Sequence, residues 1–280
     1  MQIREYSLPA GWYPRDAGSV SAFLSEYKKT FDESRSSGRA AVSPHAGWYY
    51  SGRIAALGVL SLNPEADTVV ILGGHLGAFS PALFAMEDAV RTPLGIMRID
   101  ADLRAAMLKE IDSKEDRYRD NTIEVLLPMA HYFFPDAKLL WLRLPAGLQS
   151  YEAGKKIFKK AGELGIKINV IASTDLTHYG PNYDFLPKGC GKAALSWVRE
   201  VNDAAFINAV KSSDEAEVLH RADEDFSACS AGAVLGAMGF AAAQGLKPAR
   251  LLEYATSADA DKEGGIPDSF VGYAALAFDA

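Results

Sequence analysis

The sequence predicts an α/β fold of three layers, α/β/α, in which helices cover both faces of a mainly parallel central sheet. Three observations support this fold class: buried-strand runs such as 68–72 alternate with helix-compatible segments, 49% of the 280 residues are hydrophobic, and no Ser/Gly linker or repeat divides the chain. Alternating strands and helices are typical of a parallel sheet covered on both faces. We therefore expect a single α/β domain over residues 1–280.

The elements follow from apolar runs, turn residues and helical spacing. The segment 40–42 reads as a buried strand that ends just before His45, and 68–72 as another that ends just before His75. The expected helices lie at 19–31, 54–60, 101–111, 151–164 and within 192–245. The remaining strands are expected within 79–100 and at 138–144, 166–172, 250–254 and 270–278.

Composition excludes several classes of function. The formal net charge is -7, and the one cluster of lysines, at 155–160, has the spacing of a solvated helix face, so nucleic acid is not an expected partner. The N-terminus lacks a signal-peptide core, and the longest apolar run, 231–243, is too short to span a bilayer. Two cysteines make no disulfide framework, which predicts a reducing, cytoplasmic location.

Three histidines follow predicted strands within a few residues: His45, His75 and His178. The carboxyl ends of parallel strands lie on one side of a sheet, where α/β proteins bind ligands, so these side chains are expected to converge. Two imidazoles and one anionic ligand make a site for a divalent transition metal. The anionic candidates are Asp175 and Cys229, and the start of a predicted helix after Cys229 favours its thiolate form.

Short motifs, in order along nearly the whole chain, resemble those of the Memo family: Ala10-Gly11-Trp12-Tyr13-Pro14, Pro44-His45-Ala46-Gly47, Gly74-His75, and segments 173–180, 254–259 and 271–275. The resemblance implies an α/β/α fold shared with class III extradiol ring-cleaving dioxygenases, which use non-haem ferrous iron. It also implies that His45, His75 and Cys229 bind the metal. Asp175 and His178 would line the same pocket.

The chain departs from the family pattern at defined positions. Where the family usually has a histidine, this chain has Asn121, while Glu124 and Pro128 remain, and Ser230 replaces the glycine after the cysteine. The metal-binding residues are retained, so the departures bear on the substrate. We expect the substrate side of the pocket to be formed by Trp48, Tyr50, Asn121 and Glu124.

These residues lead to a first hypothesis, a dioxygenase-like oxidoreductase with iron(II). Asp175 would orient His178, and His178 would act as general acid or base towards a substrate hydroxyl. The thiolate also suits copper or zinc. Two alternatives stay open: a binding module whose aromatic cleft around Trp48, Tyr49 and Tyr50 grips a peptide or small ligand, and a metal-dependent hydrolase that uses a bound water.

Other reactive residues are expected to be bystanders. Cys190 sits in a glycine-flanked loop and is expected to form no disulfide, His131 lies in an apolar stretch, and His220 lies among charged residues typical of a surface. The acidic loop that begins at Asp259 resembles the start of a calcium loop. Its twelfth position is Phe270, so the bidentate carboxylate of such loops is missing and we expect a solvated loop.

Overall fold

The computed structural model describes residues 1–31, 37–260 and 265–280, so positions 261–264 of the acidic loop lie outside the described residues. Within these ranges the strands, β1 to β12, are Ile3–Arg4, Gly38–Ser43, Thr68–Gly73, Ala82–Phe84, Ala89–Thr92, Gly95–Arg98, Ser113–Glu115, Lys138–Arg143, Ile168–Ser173, His178–Tyr179, Arg250–Thr256 and Phe270–Asp279. The helices, α1 to α10, are Ala17–Thr30, Trp48–Leu60, Ala101–Met107, Asn121–Glu124, Leu127–Phe133, Leu148–Leu164, Lys192–Trp197, Asp203–Lys211, Glu215–Glu224 and Ala231–Gln244.

The main sheet has a parallel centre and antiparallel flanks. Among the described residues its strand order is β10-β12-β2-β9-β3-β8-β4-β7, with β11 paired to β12. The neighbours β2, β9, β3 and β8 all run parallel, whereas β12 beside β2 and β4 beside β8 are antiparallel. The expected parallel sheet is therefore found at its centre. Strands β1, β5 and β6 form a smaller, separate sheet.

Side chains of the central strands alternate between two cores, one on each face. Val70 and Leu72 pack with residues of α6 and α10, whereas Val69 and Ile71 pack with residues of α1, α2 and α5. Successive residues of a strand point to opposite faces, so a strand that is apolar throughout needs helices on both sides. The arrangement is the predicted three-layer α/β/α fold.

Several expected element bounds need correction, most of all that of the helix expected at 54–60, which begins at Trp48. The helix expected at 101–111 ends at Met107, and the final strands extend to Thr256 and Asp279. The short helices α4 and α5 were not predicted, because α4 spans only Asn121–Glu124 and one helical turn is too short to show a periodicity. Helix α10 lies in the apolar run 231–243 and is buried over most of its length. None of the helices in the described ranges is long and apolar enough to cross a membrane.

Helices α6 and α10 approach each other closely at glycines. A Cβ atom added at Gly154 of α6 would overlap the carbonyl oxygen of Gly236, and one added at Gly239 of α10 would overlap that of Tyr151. The backbones themselves are in contact there, and this contact sets the position of α10 over the sheet. The predicted metal ligand Cys229 lies just before the start of α10, so the helix contact also bears on the site.

We predict that Gly154→Ala lowers the free energy of unfolding by about 2–3 kcal/mol, because the added methyl group overpacks the helix contact. Gly162 of the same helix is the matched control, since no atom lies within 4 Å of a Cβ added there. Gly162→Ala should leave stability unchanged or raise it by up to about 1 kcal/mol through helix propensity. Urea unfolding of both variants checks this, and equal midpoints would contradict the close contact.

Candidate metal centre and adjoining cleft

Three neighbouring parallel strands deliver the residues of the candidate site. Strand β2 ends at Ser43 and leads to His45, β3 ends at Gly73 and leads to His75, and β9 between them ends at Ser173. The backbones pair in register, with Ser43 opposite Ser173. The predicted convergence is confirmed for the first two histidines, whose ring centroids lie 5.0 Å apart with the planes at 89°.

The side chains of His45, His75 and Cys229 form one cluster. Their ligating atoms all lie within 4.8 Å of one another, and Nε2 of His45 lies 3.3 Å from Sγ of Cys229. The cysteine immediately precedes Ser230 at the start of α10, and its backbone amide donates to the carbonyl of Asp175 over 3.2 Å. Of the two anionic candidates, the cysteine is therefore the one that joins the histidines.

Each histidine of the cluster uses its other ring nitrogen to bind a protein group. Nδ1 of His45 lies 2.9 Å from the hydroxyl of Ser173, and Nδ1 of His75 lies 2.9 Å from a carboxylate oxygen of Asp120. Both Nε2 atoms are thereby left for the cluster. A partner on the second nitrogen is typical of metal-binding histidines, because it fixes the tautomer and the ring orientation.

The charges in the cluster favour the ionised thiol. Burial by itself raises the pKa of Cys229, but the imidazoles of His45 and His75 lower it well below its ordinary value of 9.0. Burial opposes protonation of His75, yet its hydrogen bond to Asp120 and the nearby thiolate raise its pKa to about 10. A thiolate is the form of cysteine that binds metals, and metal binding displaces the imidazolium protons.

The donor set fits a transition metal. Metal–nitrogen bonds of about 2.0–2.1 Å and metal–sulfur bonds of about 2.3 Å place donors roughly 3.4–3.8 Å apart in a tetrahedral site. The His45–Cys229 separation of 3.3 Å is close to that value, and the whole cluster within 4.8 Å needs only small side-chain movements. Two imidazoles and a thiolate suit iron, zinc or copper, whereas magnesium and calcium prefer oxygen ligands.

The pair Asp175 and His178 is arranged differently from the prediction. The carboxylate of Asp175 accepts a hydrogen bond from the amide of His45 over 2.7 Å, and its other oxygen lies 3.9 Å from Nε2 of that histidine. Nδ1 of His178 lies 3.0 Å from the carbonyl oxygen of Leu176. Among the described residues no hydrogen bond joins Asp175 to His178, and the contact found at the ring is the one with the carbonyl of Leu176.

A cleft of about 630 Å³ adjoins the cluster. Asp175 links the two, since it lines the cleft and contacts His45. The predicted residues Tyr50, Asn121 and His178 also line it. Side chains of the wall that the sequence did not single out are Trp12, Asn182, Tyr183, Ser257, Ser269 and Tyr273. Trp12, Ser257 and Tyr273 lie in segments that resemble those of the Memo family, and this resemblance was the signal that could have marked them as cleft residues.

Trp48 and Glu124 do not line the cleft, which corrects two expected substrate-binding residues. Trp48 is 4% exposed and its indole donates to the carbonyl of Val125 over 3.0 Å. Glu124 is 3% exposed and accepts from the hydroxyl of Tyr13 over 2.8 Å, as well as from nearby backbone amides. Glu124 instead binds the N-terminal segment that carries Trp12, and the ring of Trp48 lies beside that of Tyr13 in the same segment.

Asn121 has a second role besides lining the cleft. Its side-chain amide donates to the carbonyl of His45 over 3.1 Å, which supports the loop that carries this ligand.

The residues expected to be bystanders are placed as predicted. Cys190 and Cys229 are both free and Cys190 is exposed, Nδ1 of His131 lies 2.7 Å from the hydroxyl of Thr92, and His220 is on the surface.

The comparisons with known proteins identify the family. The model of the family described as Memo-like protein matches residues 4–277. The chain belongs to the Memo-like family. It is 32% identical to a MEMO1 family protein of Archaeoglobus fulgidus over 99% of each chain. It is 33% identical to one of Methanococcoides burtonii over 84% of each, and 30% identical to one of Methanosarcina barkeri over 98% of this chain and 99% of the other.

In this Memo-family protein, the buried carboxylate of Asp203 supports the loop that carries His178. Asp203, at the start of α8, accepts from the amide of Thr177 over 3.0 Å and from the hydroxyl of Tyr254 over 2.7 Å. Burial raises its pKa to about 6, because the three hydrogen bonds to its oxygens do not replace full hydration of the charge. The carboxyl therefore binds its proton more tightly in the folded than in the unfolded protein.

We predict that His45→Ala and Cys229→Ser each abolish tight binding of a divalent transition metal, because two protein ligands do not replace three. Cys190→Ser is the matched control for the cysteine and should bind metal as the parent does. Metal content by elemental analysis, after loading and desalting, checks this. Metal retained at the parent level by Cys229→Ser would contradict the assignment of the thiolate.

We predict that Asp203→Asn changes how stability depends on pH. The stabilising contribution of the carboxyl is complete below its ordinary pKa of 3.8 and is lost as pH rises through about 6. Relative to the parent, the variant should therefore gain about 2 kcal/mol in free energy of unfolding between pH 4 and pH 7. Urea unfolding at several pH values measures the difference, and parallel curves would contradict it.

Proposed function

We propose that this protein is a non-haem iron oxidoreductase of the dioxygenase-like kind that acts on a small hydroxylated molecule. The observation that carries the proposal is the short distance between the cluster and the cleft. Asp175 lines the cleft, its carboxylate accepts from the amide of His45, and it lies 3.9 Å from Nε2 of that histidine, so one side chain separates the cleft from the metal-binding cluster.

The cluster would hold ferrous iron through His45, His75 and Cys229. When bound, the ion supplies coordination positions for dioxygen and for a substrate oxygen, and the electron transfer between them. The protein orients the two imidazoles, because Ser173 binds Nδ1 of His45 and Asp120 binds Nδ1 of His75. It also contributes charge, because the one thiolate leaves a divalent ion with a net positive charge that attracts a substrate hydroxyl oxygen.

His178 is suited to act as a general base. A carbonyl oxygen only accepts hydrogen bonds, so the contact of Nδ1 with the carbonyl of Leu176 places the proton of the neutral ring on Nδ1. Nε2 is then the unprotonated nitrogen, able to take a proton from a substrate hydroxyl. The ring of Tyr183 packs edge-on against the imidazole, with centroids 5.0 Å apart, and limits its rotation.

The cleft walls favour a small aromatic molecule. Its volume of about 630 Å³ lies within the range of small-molecule pockets. The rings of Trp12, Tyr50, Tyr183 and Tyr273 supply apolar surface, and Asn121 and Asn182 supply amides. Flat apolar walls with a few polar groups recognise rings that bear hydroxyl groups.

The thiolate of Cys229 is a soft ligand that also suits zinc, and it favours a second candidate function, that of a zinc-dependent hydrolase. Thiolate and imidazole are both ligands of catalytic zinc, and zinc lowers the pKa of a bound water. The two candidates require different metals, since a dioxygenase needs a redox-active ion.

The test is to purify the protein anaerobically without chelators, measure its metals, and reconstitute the apoprotein with Fe²⁺ or Zn²⁺. The first proposal expects oxygen uptake and ring cleavage of a catechol panel with Fe²⁺ alone. Hydrolysis of ester substrates with the Zn²⁺ form, and no oxygen uptake with Fe²⁺, would replace it by the second. Ligand binding without either reaction would point to a binding module.

We predict that His178→Ala keeps the metal yet loses at least about 100-fold in turnover, because general-base catalysis typically contributes that much. His131→Ala is the matched control, since that histidine binds Thr92 away from the cleft. Metal content and turnover of both variants are measured together. Loss of metal in His178→Ala would make this residue a ligand, and an unchanged turnover would make it structural.

A further inference from the structure

A buried arginine, Arg143, contacts both the backbone just before His75 and the carboxylate that binds the His75 ring. Nη2 of Arg143 lies 3.1 Å from the oxygen of Asp120 that faces Nδ1 of His75. Nε of the same guanidinium donates to the carbonyl oxygen of Gly74 over 3.0 Å. One planar group thus holds the carboxylate behind the ligand and also the backbone just before it.

The loop needs such support, because its backbone is constrained. His75 has a φ of 58°, in the left-handed region that residues with a side chain rarely adopt. The neighbouring Gly74 lies so close to Ser230, beside Cys229, that a Cβ atom there would overlap the serine side chain. A strained backbone conformation of this kind costs on the order of 1–3 kcal/mol and persists only where the surroundings enforce it.

Arg143 lies between two carboxylates, and only one of them faces the metal cluster. Its Nη1 is 3.4 Å from Oδ1 of Asp116, whose other oxygen accepts from the indole of Trp141 over 2.8 Å. Arg143 is 4% exposed and Asp116 is 1% exposed, so both charges are buried. Asp120 is the carboxylate that reaches His75, and the structure shows no such contact for Asp116 in the described part of the chain.

We propose that Arg143 is a positioning residue of the metal centre. Through Asp120 and the carbonyl of Gly74, it holds His75 in the left-handed conformation in which the imidazole faces Cys229, ready for the metal. This inference rests on the proposed metal centre. It also gives the two imidazole ligands different roles, because a carboxylate partner makes His75 a stronger donor than the hydroxyl of Ser173 makes His45.

The probe is Co²⁺, whose thiolate charge-transfer and d–d absorption bands report affinity and ligand geometry without any assay of turnover. Asp120→Asn and Arg143→Lys are each titrated with Co²⁺, as is the double variant. Each single change should weaken Co²⁺ binding by about 10–100-fold and alter the d–d bands, as loss of a partner behind a metal ligand does. Since the arginine acts partly through the aspartate, the loss of affinity in the double variant should be smaller than the two single effects combined.

Asp116→Asn is the matched control, because it removes the other carboxylate of the same guanidinium. It should lower stability in urea while leaving Co²⁺ affinity within about threefold. Equal weakening by Asp116→Asn and Asp120→Asn would overturn the inference, as would fully additive effects in the double variant. If Arg143→Lys does not fold, the comparison of Asp116→Asn with Asp120→Asn decides alone.

Failure of the inference and failure of the proposed function are distinguished by His75→Ala. Loss of Co²⁺ binding in His75→Ala, with parent-like binding in Asp120→Asn, keeps the metal centre and rejects the positioning role. Parent-like Co²⁺ binding in His75→Ala rejects the metal centre itself, and the positioning role with it.

Discussion

The parallel pairing of β2, β9 and β3 is the constraint on which the rest of the structure depends. It brings Ser43, Ser173 and Gly73, which are distant in sequence, to one edge of the sheet. Parallel strands need helical crossovers, and those helices cover both faces and bury strands that are apolar throughout. The same pairing leaves the loops after the strands at one edge, where backbone groups are free to hold ligands.

Close approach between backbones then sets the distances at that edge. The helix contact at Gly154 and Gly236 places α10, and Gly74 allows the loop after β3 to lie against Ser230. Cys229, between α9 and α10, is held by its amide to Asp175. The ligand cluster is therefore a product of packing on one face of the sheet together with loops at its edge. A site built in this way transmits changes in helix position directly to a ligand.

Charge is distributed so that nearly every buried polar group near the cluster has a partner. The carboxylates of Asp120 and Asp175 each bind a histidine ligand, one through the ring and the other through the backbone amide. Asp203 supports the loop that carries His178, because its carboxylate accepts a hydrogen bond from the amide of Thr177. These groups cost free energy to bury and are stabilised only when all their hydrogen bonds are made. The histidine ligands are consequently held by hydrogen bonds, and Asp175 also borders the cleft.

The sequence by itself determined the fold class, the central strands and the three metal-binding candidates, because these rest on local signals. Buried strands show as apolar runs such as 68–72, and His45 and His75 stand directly after such runs. Element bounds were less well determined, since short helices such as Asn121–Glu124 lack a period. The residues left Asp175 and Cys229 as alternative anionic ligands, and the family resemblance selected Cys229.

Only the tertiary structure decided which polar groups meet. Asp175 and His178 are three residues apart, yet the first binds His45 and the second binds a carbonyl, because the turn directs them apart. Glu124 binds the N-terminal segment rather than the cleft. Asp120 and Arg143 carry no local signal, since their roles arise from the position of β8 beside β3. Hydrogen-bond partners of this kind depend on distances between elements, and residue spacing along a chain does not encode those distances.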